Sequence, residues 1–341
     1  MPAGGDIPHR TRAVLLDSRP DGPPTAANFR VTEVPVAVPE PGHVLVRTGH
    51  LGVAAVMRER MDAGGNLPLP PFALGEPPVG PAVGTVVASG DDAVPVGAQV
   101  SYWGPWAGYA DLAADDVQVL DPALLPAPEY HLATPNGSTA LYGVRDIARV
   151  GPGDVVLVSG AAGGVGSLAG QIARRLGADR VIGTAGSADK CRLLTTDLGF
   201  DAAVNHRDDD LAGNLRAAAP DGISVYLDLV GGVQFEAAVA VAAPFARVAV
   251  GGALATQQSG AAWPRLDTGS AIMKGLTIRG FALAHALHVT AEWPALFAGW
   301  LGEGMVFPHT VVEGDVDDVP QALADLLAGR HHGHVSVALR E

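Results

Sequence analysis

A short apolar segment runs directly into a glycine-rich turn and then into a helical pattern near the middle of the 341-residue chain. The segment reads DVVLVSG, AAGGVG and SLAGQIARRLG, which gives the turn the spacing A-x-G-x-x-G. The first small residue permits a tight turn, the second lets backbone approach a pyrophosphate, and the third lets the helix pack against the strand. The N–H groups that begin the helix then face the phosphates. The pattern predicts a dinucleotide site at this turn, made by Ala161, Gly163, Gly164, Val165 and Gly166.

Strands and helices alternate through the rest of this half of the chain. The strand patterns RVIGTAG, AAVNH, SVYLDLV and RVAVGG are separated by the helical patterns ADKCRLLTTDLG, LAGNLRAAAP and VQFEAAVAVAA. Such alternation is typical of a doubly wound parallel sheet. Residues 12–125 instead carry short alternating runs between Pro/Gly turns, which predict a small β barrel or sandwich. The sequence therefore predicts an α/β protein with a β-rich first part.

The second strand pattern ends in small or uncharged residues, where an NAD-binding protein usually places a carboxylate for the ribose hydroxyls. Ser187 follows that strand end, and Lys190 comes early in the next helix. His206 and Arg207 follow the next strand. A 2′-phosphate needs room and nearby cations, because charge-assisted hydrogen bonds hold it. We therefore predict NADP(H) rather than NAD(H), and we interpret Asp189 as a charge that favours the helix start.

Charge and cysteine content narrow the range of partners and compartments. The formal net charge is -14, and such a surface repels nucleic acid and anionic membranes. The single cysteine, Cys191, excludes a disulfide framework within one chain and a cysteine-rich zinc site, and it is typical of a reducing cytoplasm. The sequence has no apolar run of transmembrane length and no signal-peptide pattern at its start. We expect a cytoplasmic protein that binds small molecules.

Several longer segments resemble the zinc-free branch of the medium-chain dehydrogenase/reductases, and in particular the NADPH-dependent 2-alkenal, prostaglandin and curcumin reductases. They include PEPGHVLVR, VSGAAGGVGSLAGQIAR, GSADKCRLLTTDLGFDAAVNH, DLVGG and IRGF. The resemblance implies a GroES-like domain of residues 1–127 and 308–341 and a Rossmann domain of residues 128–307. It also implies an active site between the two domains, Lys190 as a 2′-phosphate ligand and a homodimer formed through the Rossmann sheet edge.

The segments that carry zinc ligands in other members of this superfamily have changed. The early region LGVAAVMRERM contains neither cysteine nor histidine, and GEPPVG stands in place of a Gly-His-Glu segment. We therefore expect no metal. The crowded histidines of HHGH are a poor metal site on their own, and the resemblance implies that His331 contacts the phosphates of the cofactor.

Tyrosines that the resembling reductases use are missing at three places, where this chain has Val56, Leu141 and Ala284. The chemistry that the resemblance implies is hydride transfer to the β-carbon of an enone, enal or enoyl group, with negative charge developing on the carbonyl oxygen. The candidate donors to that oxygen are His285, Tyr142 and Asn136. Each has a plain structural alternative: a solvent-facing histidine, a core tyrosine and a turn-forming asparagine.

Further residues are assigned to the walls of the site. Trp103 and Trp106 in SYWGPWAGYA are candidates for an apolar substrate pocket, with barrel core as the alternative. Arg58 matches a family arginine beside the cleft. Ligands of such sheets bind at the carboxyl ends of the strands. On that ground the nicotinamide side is assigned to Gly231, Gly232, Gly251 and Gly252, and Phe281 is a further candidate for cofactor binding.

These residues predict an NADPH-dependent reductase of the activated C=C bond of an α,β-unsaturated carbonyl compound. The missing tyrosines favour a specialised substrate, such as an intermediate of secondary metabolism. Two alternatives stay open at this point. One is an NADPH-dependent quinone, imine or ketone reductase, and the other is a cyclase or binding protein that keeps its cofactor without redox turnover.

Overall fold

The structure is a computed structural model that describes residues 7–64, 69–259 and 263–340. The chain divides into two compact units, one of residues 1–133 with 309–341 and one of residues 134–308. The division at 127/128 and 307/308 into GroES-like and Rossmann domains stays a prediction. None of the helices in the described ranges is both long and apolar enough to cross a membrane.

The strands, in chain order, are β1 (Arg10–Leu16), β2 (Phe29–Pro35), β3 (His43–Val53), β4 (Val79–Ser89), β5 (Gln99–Pro105), β6 (Tyr109–Ala113), β7 (Val117–Val119), β8 (Val155–Val158), β9 (Arg180–Ala185), β10 (Ala202–Asn205), β11 (Ile223–Asp228), β12 (Ala242–Val250), β13 (Thr277–Gly280), β14 (His309–Gly314) and β15 (His334–Leu339).

The α-helices are α1 (Val56–Arg60), α2 (Thr134–Leu141), α3 (Gly164–Arg175), α4 (Ala188–Thr196), α5 (Leu211–Ala218), α6 (Gly232–Ala240), α7 (Leu254–Ser259), α8 (Thr268–Lys274), α9 (Leu287–Gly302) and α10 (Val319–Leu327). A π-helix, Tyr142–Ile147, continues directly from α2. Short 3₁₀ turns cover Ala26–Asn28, Ala114–Asp116, Pro128–Ala133, Leu283–His285 and Val316–Asp318.

The first unit is built from β strands. Seven strands form one sheet in which the order is β14-β15-β3-β4-β5-β7 and β6 pairs with β3, while β1 and β2 form a separate antiparallel pair. Its core includes Leu51, Met57, Trp106 and Val335, all at most 1% exposed. The last strands of the chain complete this sheet, since β15 pairs with β3 in antiparallel fashion.

The second unit is a parallel six-stranded sheet with the order β10-β9-β8-β11-β12-β13. From β8 the chain runs outward through β9 and β10, and it then returns to the other side of β8 to add β11, β12 and β13. Strand order therefore reverses between β8 and β11, and such a switch point is where ligands of open α/β sheets bind. The predicted fold class, a β-rich part followed by a doubly wound parallel sheet, is confirmed.

Strand β8 has a parallel neighbour on each side, and its residues 156–158 are at most 1% exposed, as is typical of a central strand of a parallel sheet. Leu157, Ile182, Tyr226 and Val248 belong to the core beside it. Helix α3 begins directly after this strand at an extended Gly163, and α4 begins at Ser187, whose side chain caps it. The glycine-rich turn and the basic segment thus both follow carboxyl ends of strands.

Candidate functional site

The turn between β8 and α3 is shaped by its glycines. Gly160 has a φ of 58°, and its carbonyl accepts a hydrogen bond from Gly163 N at 3.0 Å. A Cβ atom on Gly166 would lie 2.5 Å from Gly160 O and 2.7 Å from Ala161 Cα, so a larger residue cannot fit there. Ala161 is fully buried, while Gly163 is exposed at the start of α3. This turn leaves the N-terminal end of α3, with its outward N–H groups, open to an anion.

The other residues of the motif lie in the first turn of α3. Gly164 and Val165 are both half-buried there. On the opposite side of the turn, Ala161 N donates to Thr184 O at 2.9 Å and joins the turn to the end of β9. The structure therefore brings the five predicted turn residues beside the strand end that carries the basic segment.

Two basic side chains lie over Gly186, which follows β9, and Lys190 is close enough to interact electrostatically with both of them. A Cβ atom on Gly186 would lie 3.0 Å from His206 Nε2 and 3.4 Å from Arg207 Nε, so this glycine makes room for both. Burial, and then the charge of Arg207, lower the pKa of Lys190. Burial, followed by Arg207 and more weakly Lys190, lowers the pKa of His206. We call Lys190, His206 and Arg207 the basic cluster, and its mutual repulsion is what an anion would relieve.

The acidic side chain beside Lys190 in α4 is paired with another residue. Asp189 forms an ion pair with Arg192, and its side chain is 86% exposed, so this carboxylate faces solvent. Ser187 Oγ accepts a hydrogen bond from Lys190 N at 3.3 Å, which fixes the start of α4. The Cys191 thiol has a raised pKa, first through burial and then through the Asp208 charge. It is therefore held in its protonated form.

A buried carboxylate lies at the switch point, and it is not among the site residues predicted from the sequence. Asp228 ends β11 and is 1% exposed. Its Oδ1 accepts hydrogen bonds from Ser159 Oγ at 3.0 Å, Tyr226 OH at 2.7 Å, Val230 N at 3.1 Å and Gly231 N at 2.8 Å. The available signal was the carboxylate in DLVGG, directly before two glycines at a strand end.

Two of the four glycines assigned to the nicotinamide side adopt a backbone conformation that favours glycine. Gly231 and Gly232 have φ angles of 73° and 56° in succession. The N–H groups of Gly251 and Gly252 both point at Asp228 O, at 2.8 Å and 3.2 Å. All four glycines thus lie beside the end of β11, in loops that Asp228 holds through its side chain or its backbone.

Phe281 lies in a space that two glycines leave open. Cβ atoms on Gly143 and Gly251 would each meet the Phe281 ring, at 2.7 Å and 2.5 Å. Tyr142 packs edge-on against the same ring, with 5.7 Å between centroids. Tyr142 opens the π-helix Tyr142–Ile147, and such π turns are frequent at functional sites.

The remaining catalytic candidates lie on separate elements of this unit. Asn136 is half-buried within α2. His285 ends a 3₁₀ turn and is exposed. Their catalytic roles, like that of Tyr142, stay predictions.

Predicted residues of the first unit have clear structural contacts. Trp106 is fully buried and packs against Phe29, with 5.7 Å between ring centroids. Trp103, on β5, is 46% exposed. Arg58 is buried, and its guanidinium donates to Gly22 O at 2.7 Å and to Asp62 Oδ1 at 2.7 Å. His331 is half-buried before β15. Their predicted contacts with substrate or cofactor stay predictions.

Two family models match the chain. Residues 12–120 match a family described as the N-terminal domain of oxidoreductase, and residues 164–301 match one described as zinc-binding dehydrogenase. Within the described ranges, no group of three or more His, Cys, Asp or Glu side chains is placed to hold a metal ion.

Known proteins are similar over nearly the full length. The NADPH-dependent curcumin reductase of Escherichia coli K12 is 32% identical over 98% of each chain. The NADP(+)-dependent 2-alkenal reductase of Nicotiana tabacum is 29% identical over 94% of this chain and 95% of its own. The crystal structure of CurA from Vibrio vulnificus in complex with NADPH has a TM-score of 0.89 at 30% identity, covering 97% of this chain and 99% of its own.

Proposed function

The chain belongs to the medium-chain dehydrogenase/reductase superfamily, and we propose that it reduces the activated C=C bond of an α,β-unsaturated carbonyl compound. It is an NADPH-dependent reductase of the curcumin and alkenal reductase type. The finer proposal concerns the bond that is reduced and the substrate. It is supported by the names of relatives that match over nearly the full chain, while the anion-binding features at the ends of β8 and β9 support the cofactor.

The observation that carries the cofactor assignment is the basic cluster over Gly186. Small residues at the end of β9 leave space, and Lys190, His206 and Arg207 would hold the 2′-phosphate with Ser187 beside them. The turn from Ala161 to Gly166 would hold the pyrophosphate at the start of α3. When bound, NADPH supplies a hydride to the substrate. The residues present therefore fit NADP(H), which carries a 2′-phosphate, better than NAD(H).

The chain itself would supply a proton donor near the carbonyl oxygen of the substrate. A donor that is fixed before reaction stabilises the developing negative charge without reorganisation. Tyr142 suits this role, because its ring is held against Phe281 at the start of the π-helix. Asn136 and His285 are the other proposed donors. Tyr142→Phe is expected to lower kcat while the KM for NADPH stays unchanged, and an unchanged kcat would remove Tyr142 from this role.

Zinc independence follows from the set of available ligands. Residues 51–61 contain no cysteine or histidine, and the segment GEPPVG offers a single carboxylate among apolar residues. Zinc in proteins is held by cysteine, histidine and carboxylate ligands, usually four in structural and three in catalytic sites. The segments that hold zinc in other branches of this superfamily thus lack a ligand set.

A homodimer in the cytoplasm is the proposed assembly and compartment. Strand β13 lies at one edge of the parallel sheet and is exposed along its length. Phe245, Ile272 and Met273 are also exposed, at 81%, 78% and 84%. A second copy would cover this edge and these apolar side chains. Light scattering should then give twice the 34.7 kDa chain mass, whereas a single-chain mass would contradict the dimer.

The substrate proposal is tested by NADPH oxidation with a panel of enals, enones, quinones and cyclic imines, with mass spectrometry of each product. We expect enals and enones to gain two hydrogens at the C=C bond while the carbonyl is kept. Turnover confined to quinones, ketones or imines would replace the proposal with another NADPH-dependent reduction. Tight NADPH binding without turnover of any panel member would favour either a specialised substrate outside the panel or a protein that keeps its cofactor without redox turnover. A specialised intermediate of secondary metabolism is the natural substrate that we propose, and rates that fall for the simplest enals would agree with it.

A further inference from the structure

Buried hydrogen bonds join the carboxyl ends of β8, β9 and β11 on both sides of the glycine-rich turn. We define Ser159, Thr184, Asp228 and Gln234 as the polar circuit. All four are at most 4% exposed. A buried polar group is costly unless it is hydrogen-bonded, so buried hydrogen bonds of this kind favour one arrangement of the elements that they join.

One half of the polar circuit ties β8 to the loop after β11. Ser159 Oγ donates to Asp228 Oδ1 at 3.0 Å and accepts from Leu229 N at 2.9 Å. The same carboxylate oxygen receives Tyr226 OH and Gly231 N. Burial and the Asp228 charge raise the pKa of Tyr226 well above its usual value, so the phenol remains a donor. The loop of residues 229–232 is therefore anchored where it leaves β11.

The other half ties β9 to the helix that follows that loop. Thr184 O accepts from Ala161 N at 2.9 Å, and Thr184 Oγ1 donates to Gln234 Oε1 at 2.5 Å. Gln234 lies in the first turn of α6, two residues after Gly232. The circuit thus reaches from the loop across β8 to β9, and it holds the start of the glycine-rich turn from both sides.

We propose that Ser159, Asp228 and Gln234, with Thr184, are positioning residues for NADP(H), which keep the glycine-rich turn and the 229–232 loop at the spacing that the cofactor requires. This inference rests on the proposed function, because it concerns the same cofactor. None of the four is assigned a contact with the cofactor. They act through the backbone N–H groups and glycines that they hold, and the negative charge of Asp228 is taken up by donors inside the protein.

The opposite end of the sheet provides a matched control. Ser224 Oγ donates to Asp154 Oδ1 at 2.8 Å and accepts from Val155 N at 3.0 Å. This is the same serine–aspartate–backbone arrangement between β8 and β11, but at their amino ends. Loss of the Ser224 hydroxyl should therefore cost stability in the manner of Ser159 without touching the cofactor loops.

The experiment measures dissociation constants of NADPH and NADH by fluorescence titration, with the melting temperature, for the wild type and for Ser159→Ala, Thr184→Val, Thr184→Ser and Ser224→Ala. We expect NADPH binding to weaken about tenfold in Ser159→Ala and Thr184→Val, since each leaves a buried partner unsatisfied. NADH should weaken by the same factor, because the Thr184 and Ser159 hydroxyls bond Gln234 and Asp228 and not the basic cluster. Thr184→Ser keeps the hydroxyl and should restore binding, and Ser224→Ala should lower the melting temperature alone.

The results separate this inference from the proposed function. Unchanged NADPH binding in both Ser159→Ala and Thr184→Val, with lowered melting temperatures, would show a structural role only and would overturn the inference. Equal weakening by Ser224→Ala would do the same. A wild type that binds no NADPH would overturn the inference together with the proposed function. Binding is read without any organic substrate, so failure of the alkene panel leaves this test intact. Thr184→Val is nearly isosteric, which keeps the test available if Ser159→Ala does not fold.

Discussion

The same arrangement of hydrogen bonds occurs at both ends of the β8–β11 strand pair, but its surroundings differ. At each end a serine hydroxyl donates to an aspartate and accepts a backbone N–H: Ser224 with Asp154 at the amino end, and Ser159 with Asp228 at the carboxyl end. Asp154 also forms an ion pair with Arg247 and accepts from Gly151 N at 2.9 Å. Asp228 instead accepts hydrogen bonds from backbone N–H groups of the loop that follows β11.

The difference shows why identical hydrogen bonds serve different ends. At the amino end the donors come from the starts of the strands and from the Arg247 side chain. These hydrogen bonds therefore hold the amino ends of the strands together. At the carboxyl end they come from loops at the switch point, where α/β sheets bind their ligands. Residues at the amino end should therefore affect stability alone, and residues at the carboxyl end should affect both stability and cofactor affinity.

The largest expected effect is that of Asp228→Ala. It removes the acceptor of two buried hydroxyls and two backbone N–H groups, so the free energy of unfolding should fall by about 3 kcal/mol and NADPH affinity should fall with it. Urea unfolding and NADPH titration measure the two quantities. Asp154→Ala is the matched control, and it should lower stability with NADPH affinity unchanged. Weaker NADPH binding in Asp154→Ala would show that the amino end of the strand pair also affects cofactor affinity.

Lys190→Ala separates affinity from stability at the carboxyl end. The ammonium lies in the basic cluster, outside the polar circuit, and its loss removes a charge-assisted contact with the 2′-phosphate. NADPH should bind about 30-fold more weakly, while NADH binding and the free energy of unfolding stay nearly unchanged. Parallel titrations with both dinucleotides test this. An equal loss for NADH would mean that Lys190 does not read the 2′-phosphate.

Two histidines of the first unit should make the protein sensitive to acid. Burial, and then His50, lower the pKa of His309 to about 4, and burial followed by His309 lowers that of His334 to about 3. Both stay neutral when folded but take up a proton near pH 6.5 when unfolded. Their contribution to stability is complete above pH 6.5 and is lost as the pH falls towards 4 and 3, by up to about 1.4 kcal/mol per pH unit for each.

Urea midpoints measured between pH 7 and pH 4 test this dependence. His334→Gln should flatten the curve, and His332→Gln at an exposed neighbour should leave it unchanged. A curve that is equally steep in His334→Gln would exclude His334 as a source of acid sensitivity.

The smallest expected effect is that of Ser224→Ala, which removes one half-buried hydroxyl at the amino end. The free energy of unfolding should fall by about 1 kcal/mol, because Asp154 keeps its ion pair with Arg247. NADPH titration of the same variant should match the wild type within error. A loss of affinity would place the cofactor loops under the control of the whole sheet rather than of its carboxyl end.

Contiguous sequence predicted much of this site. The glycine spacing identifies the turn at Gly163 and Gly166, and the strand periods indicate the parallel sheet. The segment from Ser187 to Arg207 contains the whole basic cluster. The sequence predicts that its members meet at one strand end, because two neighbouring parallel strands end at the same edge of the sheet. The fold class followed from the same alternation.

Pairings that depend on strand order could not be found in the same way. Ser159 and Asp228 are 69 positions apart and become neighbours only because β11 returns to the side of β8. The placement of the Phe281 ring between Gly143 and Gly251 also depends on tertiary packing. Sequence could not decide whether Trp106 lines a pocket or fills a core, since both uses favour a large apolar ring, and its indole is fully buried.

We propose that NADPH binds at the carboxyl ends of β8 and β11, and amide hydrogen–deuterium exchange with and without NADPH locates its binding region. We predict slower exchange on NADPH binding in residues 160–166 and 229–232, with no change in residues 151–155 at the amino end. The Lys190→Ala variant under the same NADPH concentration should show less protection. Protection centred on residues 151–155, or none in residues 160–166 at saturating NADPH, would show that NADPH does not bind at the carboxyl ends of these strands.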